Sequence, residues 1–281
     1  MEMFSYAFMI RALIAASFMA VIAPLLGVFL VLRRQSLLAD TLSHVSLAGI
    51  ALGFFINMNP TITTLIVVVL SALALEYISK LYQSYSEVST AVLMSGGLAT
   101  ALVLMNLNKG ENSMNIQQYL FGSIITINWG QVKILGVLMV AIVVLFIFLR
   151  RPMYVLTFDE DTAHVDGLPV RLMSILFNVL TGVAIAVMIP IAGALLISAI
   201  MVLPAAISMR LGKSFNIVLV LSVLVGLIGM LGGLTASFYL DTPPGATITM
   251  IFILLFLFTS LFRRALSTYR RIKMIKREEL S

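Results

Sequence analysis

The chain has 281 residues, 61% of them hydrophobic and 11% charged, and 18 Lys and Arg outweigh 12 Asp and Glu to give a net charge of +6. A soluble domain carries about 45–50% apolar and about 25% charged residues, so the composition excludes a soluble globular protein and points to a polytopic membrane protein. The absence of cysteine excludes a disulfide framework, a thiolate metal site and a cysteine nucleophile.

A transmembrane helix needs about 20 mostly apolar residues. Apolar runs at approximately 8–32, 39–57, 60–79, 88–107, 131–149, 171–190, 192–209, 215–240 and 246–262 predict nine spans. Met1-Glu2-Met3 is not a basic leader, and the apolar run behind it is long enough to span. An eight-span alternative lays residues 1–14 along the outer interface.

Arg33-Arg34 separates the first span from Leu38-Ala39-Asp40-Thr41-Leu42-Ser43-His44. The i,i+4 spacing puts Asp40 and His44 on one helix face, one turn apart. A carboxylate and an imidazole so placed form half of a divalent-metal site, and ionisable residues inside a membrane segment mark functional sites. The bland alternative is that Asp40 caps the helix start and His44 makes an interhelical hydrogen bond. Two ligands are too few for zinc, which takes four. A homodimer that brings two such helices together supplies two Asp and two His, a set that suits an oxygen- and nitrogen-ligated divalent ion.

The short connections at 57–60 and 190–192 predict antiparallel hairpins. Gly49 and Gly53, and then Gly226, Gly229, Gly232 and Gly233, mark close helix packing; Gly49, Gly53 and Pro204 are also candidates for gating. Glu76 and Glu87 flank a turn. The polar stretch from Gly110 to Gln118 leads into Tyr119-Leu120-Phe121-Gly122, too short to span and read as a re-entrant or interfacial element. From Thr157 to Pro169 runs a segment with four acidic residues, Asp159, Glu160, Asp161 and Asp166. It predicts a short helix capped by Asp159 or Thr157 and stopped by Gly167 and Pro169. Such a helix between spans is either a docking element or a solvated linker.

Gly212-Lys213-Ser214 lacks the upstream glycine of a phosphate loop, since Ile207 stands there. Any ATPase that powers the chain is therefore another polypeptide. Asp241 lies in Asp241-Thr242-Pro243-Pro244-Gly245, a turn by its own chemistry. The tail 263–281 is basic and suits an anchor on an anionic leaflet. No H-E-x-x-H or G-x-S-x-G motif supports hydrolysis. With the N-terminus outside, 15 of the 18 basic residues fall on the inner side; only Arg11, Lys109 and Lys133 remain outside. That distribution, rather than nucleic-acid binding, explains the net charge.

Residues 33–44 resemble the second-span motif of the membrane subunits of bacterial metal-ion ABC importers for zinc and manganese. Phe158 to Pro169 is similar to that family's segment before the sixth span, and Gly193 to Ala206 to its Gly-x-Leu-Leu…Pro-Ala-Ala stretch. The resemblance covers essentially the whole chain. It implies an all-α, polytopic transmembrane helical bundle, the ABC importer permease of the metal/vitamin B12-uptake type, in a single domain, 1–281. It further implies a multi-pass protein of the bacterial plasma membrane with a cytoplasmic C-terminus. The expected partners are two copies of an ATP-binding subunit, an extracellular metal-binding lipoprotein and a second copy of this chain. ATP hydrolysis belongs to the partner, so the chain itself is expected to be no enzyme. By the same resemblance Asp40 and His44 are the metal ligands in the translocation path. The ATPase-coupling helix, about 158–168, carries Asp159, Glu160, Asp161, Ala163, Asp166 and Gly167. Thr41 after Asp40, and the stretch Gly232 to Pro243, look like the zinc branch. The expected cargo is Zn2+, with Mn2+ (or iron) as the alternative, and no cofactor is held stably. An autonomous secondary transporter is a further reading, but it would need more buried acidic or histidine residues than the chain shows.

Overall fold

The structure is a computed structural model and describes residues 6–81, 86–107, 119–120, 122, 126–158 and 160–278. Its helices are α1 (Ala7–Leu32), α2 (Leu37–Phe55), α3 (Pro60–Leu81), α4 (Ser86–Leu107), α5 (Trp129–Phe158), α6 (Glu160–Val165), α7 (Val170–Ala192), α8 (Ala194–Leu211), α9 (Phe215–Leu240) and α10 (Pro244–Glu278). All except α6 are long and apolar enough to cross a membrane, which gives nine spans among the described residues. In hydrocarbon every backbone polar group must be satisfied within the segment, so apolar runs of this length become helices. The first run forms one unbroken 26-residue helix, which favours nine spans over eight.

Local chemistry sets the joints. After α1, the amide of Arg34 donates to the Val31 carbonyl and that of Gln35 to Leu30, with Arg34 at φ 58°. After α2, the amide of Asn57 donates to Phe54 and that of Met58 to Gly53, with Asn57 at φ 56°. Both are Schellman turns. The Asn59 side chain then accepts from the Thr61 amide at 2.9 Å, and Pro60 follows as the first residue of α3. Asn128 and Gln131 cap each other's amides at the head of α5, at 3.1 and 2.9 Å.

The core lies around α1, α2, α7 and α8. α2 packs on α3 and α4, while α1 packs on α8, α9 and α5. Small residues let backbones meet. Gly27 of α1 abuts the Met201 backbone of α8, and a Cβ on Gly226 of α9 would stand 2.7 Å from Pro24 of α1. Gly229 meets Phe252 and Gly233 meets Ile248 of α10. Gly232 meets nothing within 4 Å, so the packing role expected of it does not hold.

Three further expectations change. α7 and α8 do not form a packed hairpin. Gly193 alone joins them, at φ 78° and ψ 152°, a conformation essentially reserved for glycine. α8 diverges there to pack on α1, α9 and α10. Next, α5 continues past the apolar run through Arg150, Arg151 and Pro152 to Phe158; arginine is a good helix former, so the helix outlasts the span. Finally, Thr157 does not cap the acidic helix. It lies inside α5 and donates to the Met153 carbonyl at 2.7 Å. Its partner in that prediction, Asp159, lies outside the described residues, as do residues 108–118. Gly122, at φ 74°, seats against the end of α7 at Ala192. Tyr119 packs on Phe54 at 6.1 Å, and burial pushes its phenol upward.

Candidate metal half-site on the second helix

α2 is held at both ends by Schellman turns, so its rotation is fixed. Gly49 and Gly53 press it onto α3; a Cβ on Gly49 would stand 2.6 Å from Thr64 Cα. Gly97 of α4 meets it from another side, with its Cβ position 2.9 Å from the Val45 amide nitrogen. Helix packing thus accounts for Gly49 and Gly53. Pro204 is buried within α8, and its carbonyl accepts from Ser208 at 2.7 Å.

The fixed rotation leaves one face of α2 open. Leu37, Asp40, His44, Leu52 and Phe55 are not fully buried, and Ala48, between His44 and Leu52, is the least enclosed of the buried set at 6% exposure. The spacing 37, 40, 44, 48, 52, 55 is a single helical stripe. Most other positions of α2 are buried.

Hydrogen bonding separates the two ionisable residues from their neighbours. Thr41 donates to the Leu37 carbonyl at 2.9 Å, Ser43 to Ala39 at 2.8 Å and Ser46 to Leu42 at 2.7 Å. These hydroxyls are satisfied by their own helix. His44 Nδ1 is buried without a hydrogen-bond partner among the described residues. A buried polar atom left so costs about 1–3 kcal/mol. By the rise of 1.5 Å per residue, Asp40 lies about 5 Å and His44 about 11 Å from the helix start. One chain brings together these two groups and no more: among the described residues no cluster of three metal-ligating side chains forms. Asp241 does not join them in a cluster of metal-ligating side chains among the described residues. It caps the other end of α9 in a left-handed turn and is exposed.

The acidic helix α6 forms as predicted. The Asp166 amide donates to Thr162 at 2.9 Å and the Leu168 amide to Ala163 at 3.0 Å. Ala163 is fully buried beneath it, whereas Val165 is 87% exposed. Asp166 and Gly167 are exposed, the latter at φ 73°. An apolar side chain held out beside acidic ones is poorly suited to a mere linker.

One cluster went unnoticed in the sequence. Glu76 on α3 accepts from Ser174 at 3.3 Å and from Asn178 at 3.4 Å, both on α7. Arg33, just past α1, donates to Ser174 at 3.0 Å and lies over the Phe177 ring at 5.8 Å. The signal was present as periodicity: Val68, Ala72 and Glu76 share one face of α3, and Ser174, Asn178 and Gly182 share one face of α7.

Residues 5–263 match the model of the family described as "ABC 3 transport family". A high-affinity zinc uptake system membrane protein, ZnuB of Haemophilus influenzae, is 26% identical, over 90% of this chain and 96% of its own. A manganese transport system membrane protein, MntC of Halalkalibacterium halodurans, is 27% identical, over 98% of this chain and 95% of its own. Among solved structures, PsaBC from Streptococcus pneumoniae in complex with Fab superposes with a TM-score of 0.82 at 26% identity, covering 92% of both chains.

Proposed function

The chain belongs to the ABC 3 transport family, and we propose that it is the permease subunit of an ATP-driven importer that moves Zn2+ across the plasma membrane into the cell. The open stripe of α2 carries this reading. A carboxylate and an imidazole left partly exposed on an outward stripe of a membrane protomer are costly against lipid. A second copy of the chain covers them and doubles the set to two Asp and two His, which suits tetrahedral zinc. Such a site must bind weakly enough to release its cargo, and a set shared between two moving protomers can open.

Orientation follows from charge. The end that carries Arg33, Arg34, Arg150, Arg151, Arg210 and Lys213 faces the cytoplasm, and the C-terminus lies there too. The binding lipoprotein docks at the opposite end. The acidic α6, with Val165, Asp166 and Gly167 exposed and Ala163 buried, docks on the ATP-binding subunit, and Asp159, Glu160 and Asp161 belong by sequence to the same coupling segment. Its movement passes directly into α7. The zinc choice is supported by Thr41 after Asp40 and by the zinc-uptake relative; MntC favours manganese as the second reading. Asp with His is acceptable to either ion.

The test is uptake of zinc and of manganese in cells lacking their own transporter, complemented with wild type, Asp40→Ala or His44→Ala at equal membrane expression. Zinc uptake restored by wild type and lost in both variants supports the reading. Normal transport by the variants places the path elsewhere, and a response to manganese alone replaces the cargo. Co-purification of a nucleotide-binding subunit separates the importer from a self-sufficient transporter.

A further inference from the structure

At the Arg-bearing end, α5 and α9 enclose a groove of about 930 Å³. Its wall on α5 changes character within one helical turn. Ile147 and Phe148 are 66% and 77% exposed and, in a membrane protein, such side chains face acyl chains. Arg150 and Arg151 follow at once and are exposed. Arg150 donates to the Asn216 side chain across the groove, which fixes its guanidinium at the lip. Arg151 makes no hydrogen bond or ion pair to a described residue. Tyr154 adds a phenol one turn further on. Among the described residues no Asp or Glu lines the groove.

We propose that this groove binds the headgroup of an anionic phospholipid, with its phosphodiester on Arg150 and Arg151 and its acyl chains along Ile147 and Phe148. The order of the lining decides the occupant. A guanidinium recognises phosphate oxygens through paired donors, and basic pockets between membrane helices on the cytoplasmic side hold lipid headgroups. Free phosphate would use the arginines but gain nothing from the apolar wall. A soluble protein partner would have to displace lipid from Ile147 and Phe148. The volume suffices: liquid water takes about 30 Å³ per molecule, so the groove holds a glycerophosphate headgroup with room to spare. The proposal depends only on the membrane fold and not on the identity of the cargo.

The test uses the full chain in detergent, titrated with phosphatidylglycerol or phosphatidylcholine and read by native mass spectrometry. Wild type should retain phosphatidylglycerol preferentially. Arg150→Gln with Arg151→Gln should lower that affinity about 25-fold, two charges at roughly fivefold each. Lys133→Gln, at the opposite end of α5, should leave it unchanged. Equal retention of both lipids, or of phosphatidylglycerol by wild type and double variant, overturns the proposal. So does displacement of the lipid by millimolar inorganic phosphate, which would make the site one for a free anion. Should the double variant not fold, a photoactivatable phosphatidylglycerol on wild type decides: crosslinks in 147–154 or 214–216 support the site, and crosslinks confined elsewhere refute it.

Discussion

His44→Ala distinguishes a ligand from a structural residue, because the two roles predict opposite pairings of stability and transport. A structural histidine would have a partner to lose. Here Nδ1 is buried and has none among the described residues, so truncation removes an orphan that costs about 1–3 kcal/mol. Against that stands the loss of a half-buried ring, about 1–2 kcal/mol on the scale of apolar side-chain burial. The two nearly cancel, and the metal-free variant should unfold within about 1 kcal/mol of wild type. Transport should not survive. In a pair of copies the substitution cuts four ligands to two. Even groups that only orient a ligand are worth 10–100-fold in affinity, so metal capture should fall by at least about 100-fold. Chemical denaturation in detergent with a chelator present, beside zinc uptake in cells, reads both quantities. A variant destabilised by about 3 kcal/mol, or one that transports normally, would refute the reasoning.

The remaining expectations concern the interface, the coupling helix and the packing. Because the chain has no cysteine, Ala48→Cys introduces a single thiol on the open stripe; a short bifunctional thiol reagent in membranes should give a dimer band, while Phe258→Cys, on a side chain 69% exposed, should not. A monomer band for Ala48→Cys argues against the stripe as the contact between copies. Val165→Glu should leave folding intact, since the residue is 87% exposed, yet reduce co-purified ATP-binding subunit about tenfold, the effect of losing about 1.4 kcal/mol; unchanged recovery would remove α6 from that contact. Gly27→Val drives a side chain into the Met201 backbone and should cost more than about 3 kcal/mol, abolishing a monodisperse peak on size exclusion. Gly232→Val meets open space and should stay within about 0.5 kcal/mol.

Much of the fold was legible because the membrane forces a single solution on apolar runs. The spans at 39–57 and 60–79 differ from α2 and α3 by only a few residues. The ends were harder where hydropathy and helix propensity part company: α5 outruns its apolar segment because Arg150 and Arg151 continue a helix that lipid no longer requires. The α7–α8 relation was misread because a short connection fixes proximity of ends, not the angle between axes. That angle depends on the dihedrals of Gly193. At the site, the i,i+4 spacing revealed Asp40 and His44, but not which way they face. Their orientation comes from glycines 49, 53 and 97, which press the opposite sides of α2 onto α3 and α4. In the sequence Glu76 only flanks a turn, and its cluster escaped notice because its partners are about a hundred residues away and one carboxylate near a turn carries no distinguishing pattern.

Gly193 and the Arg33–Ser174–Glu76 bridge have a joint mechanical meaning. α7 leans chiefly on α3, α8 chiefly on α1, α9 and α10, and α2 packs on both. Between α7 and α8, one residue with two free torsions is the covalent joint. Turning about it changes the angle between the two helices and breaks no hydrogen bond inside a helix other than the closing one from the Gly193 amide to Ile189. At the other end of α7, a three-part polar clasp ties α1, α3 and α7 together. Like a door, α7 is hinged at one end and latched at the other, and the latch lies just beyond the acidic handle, α6.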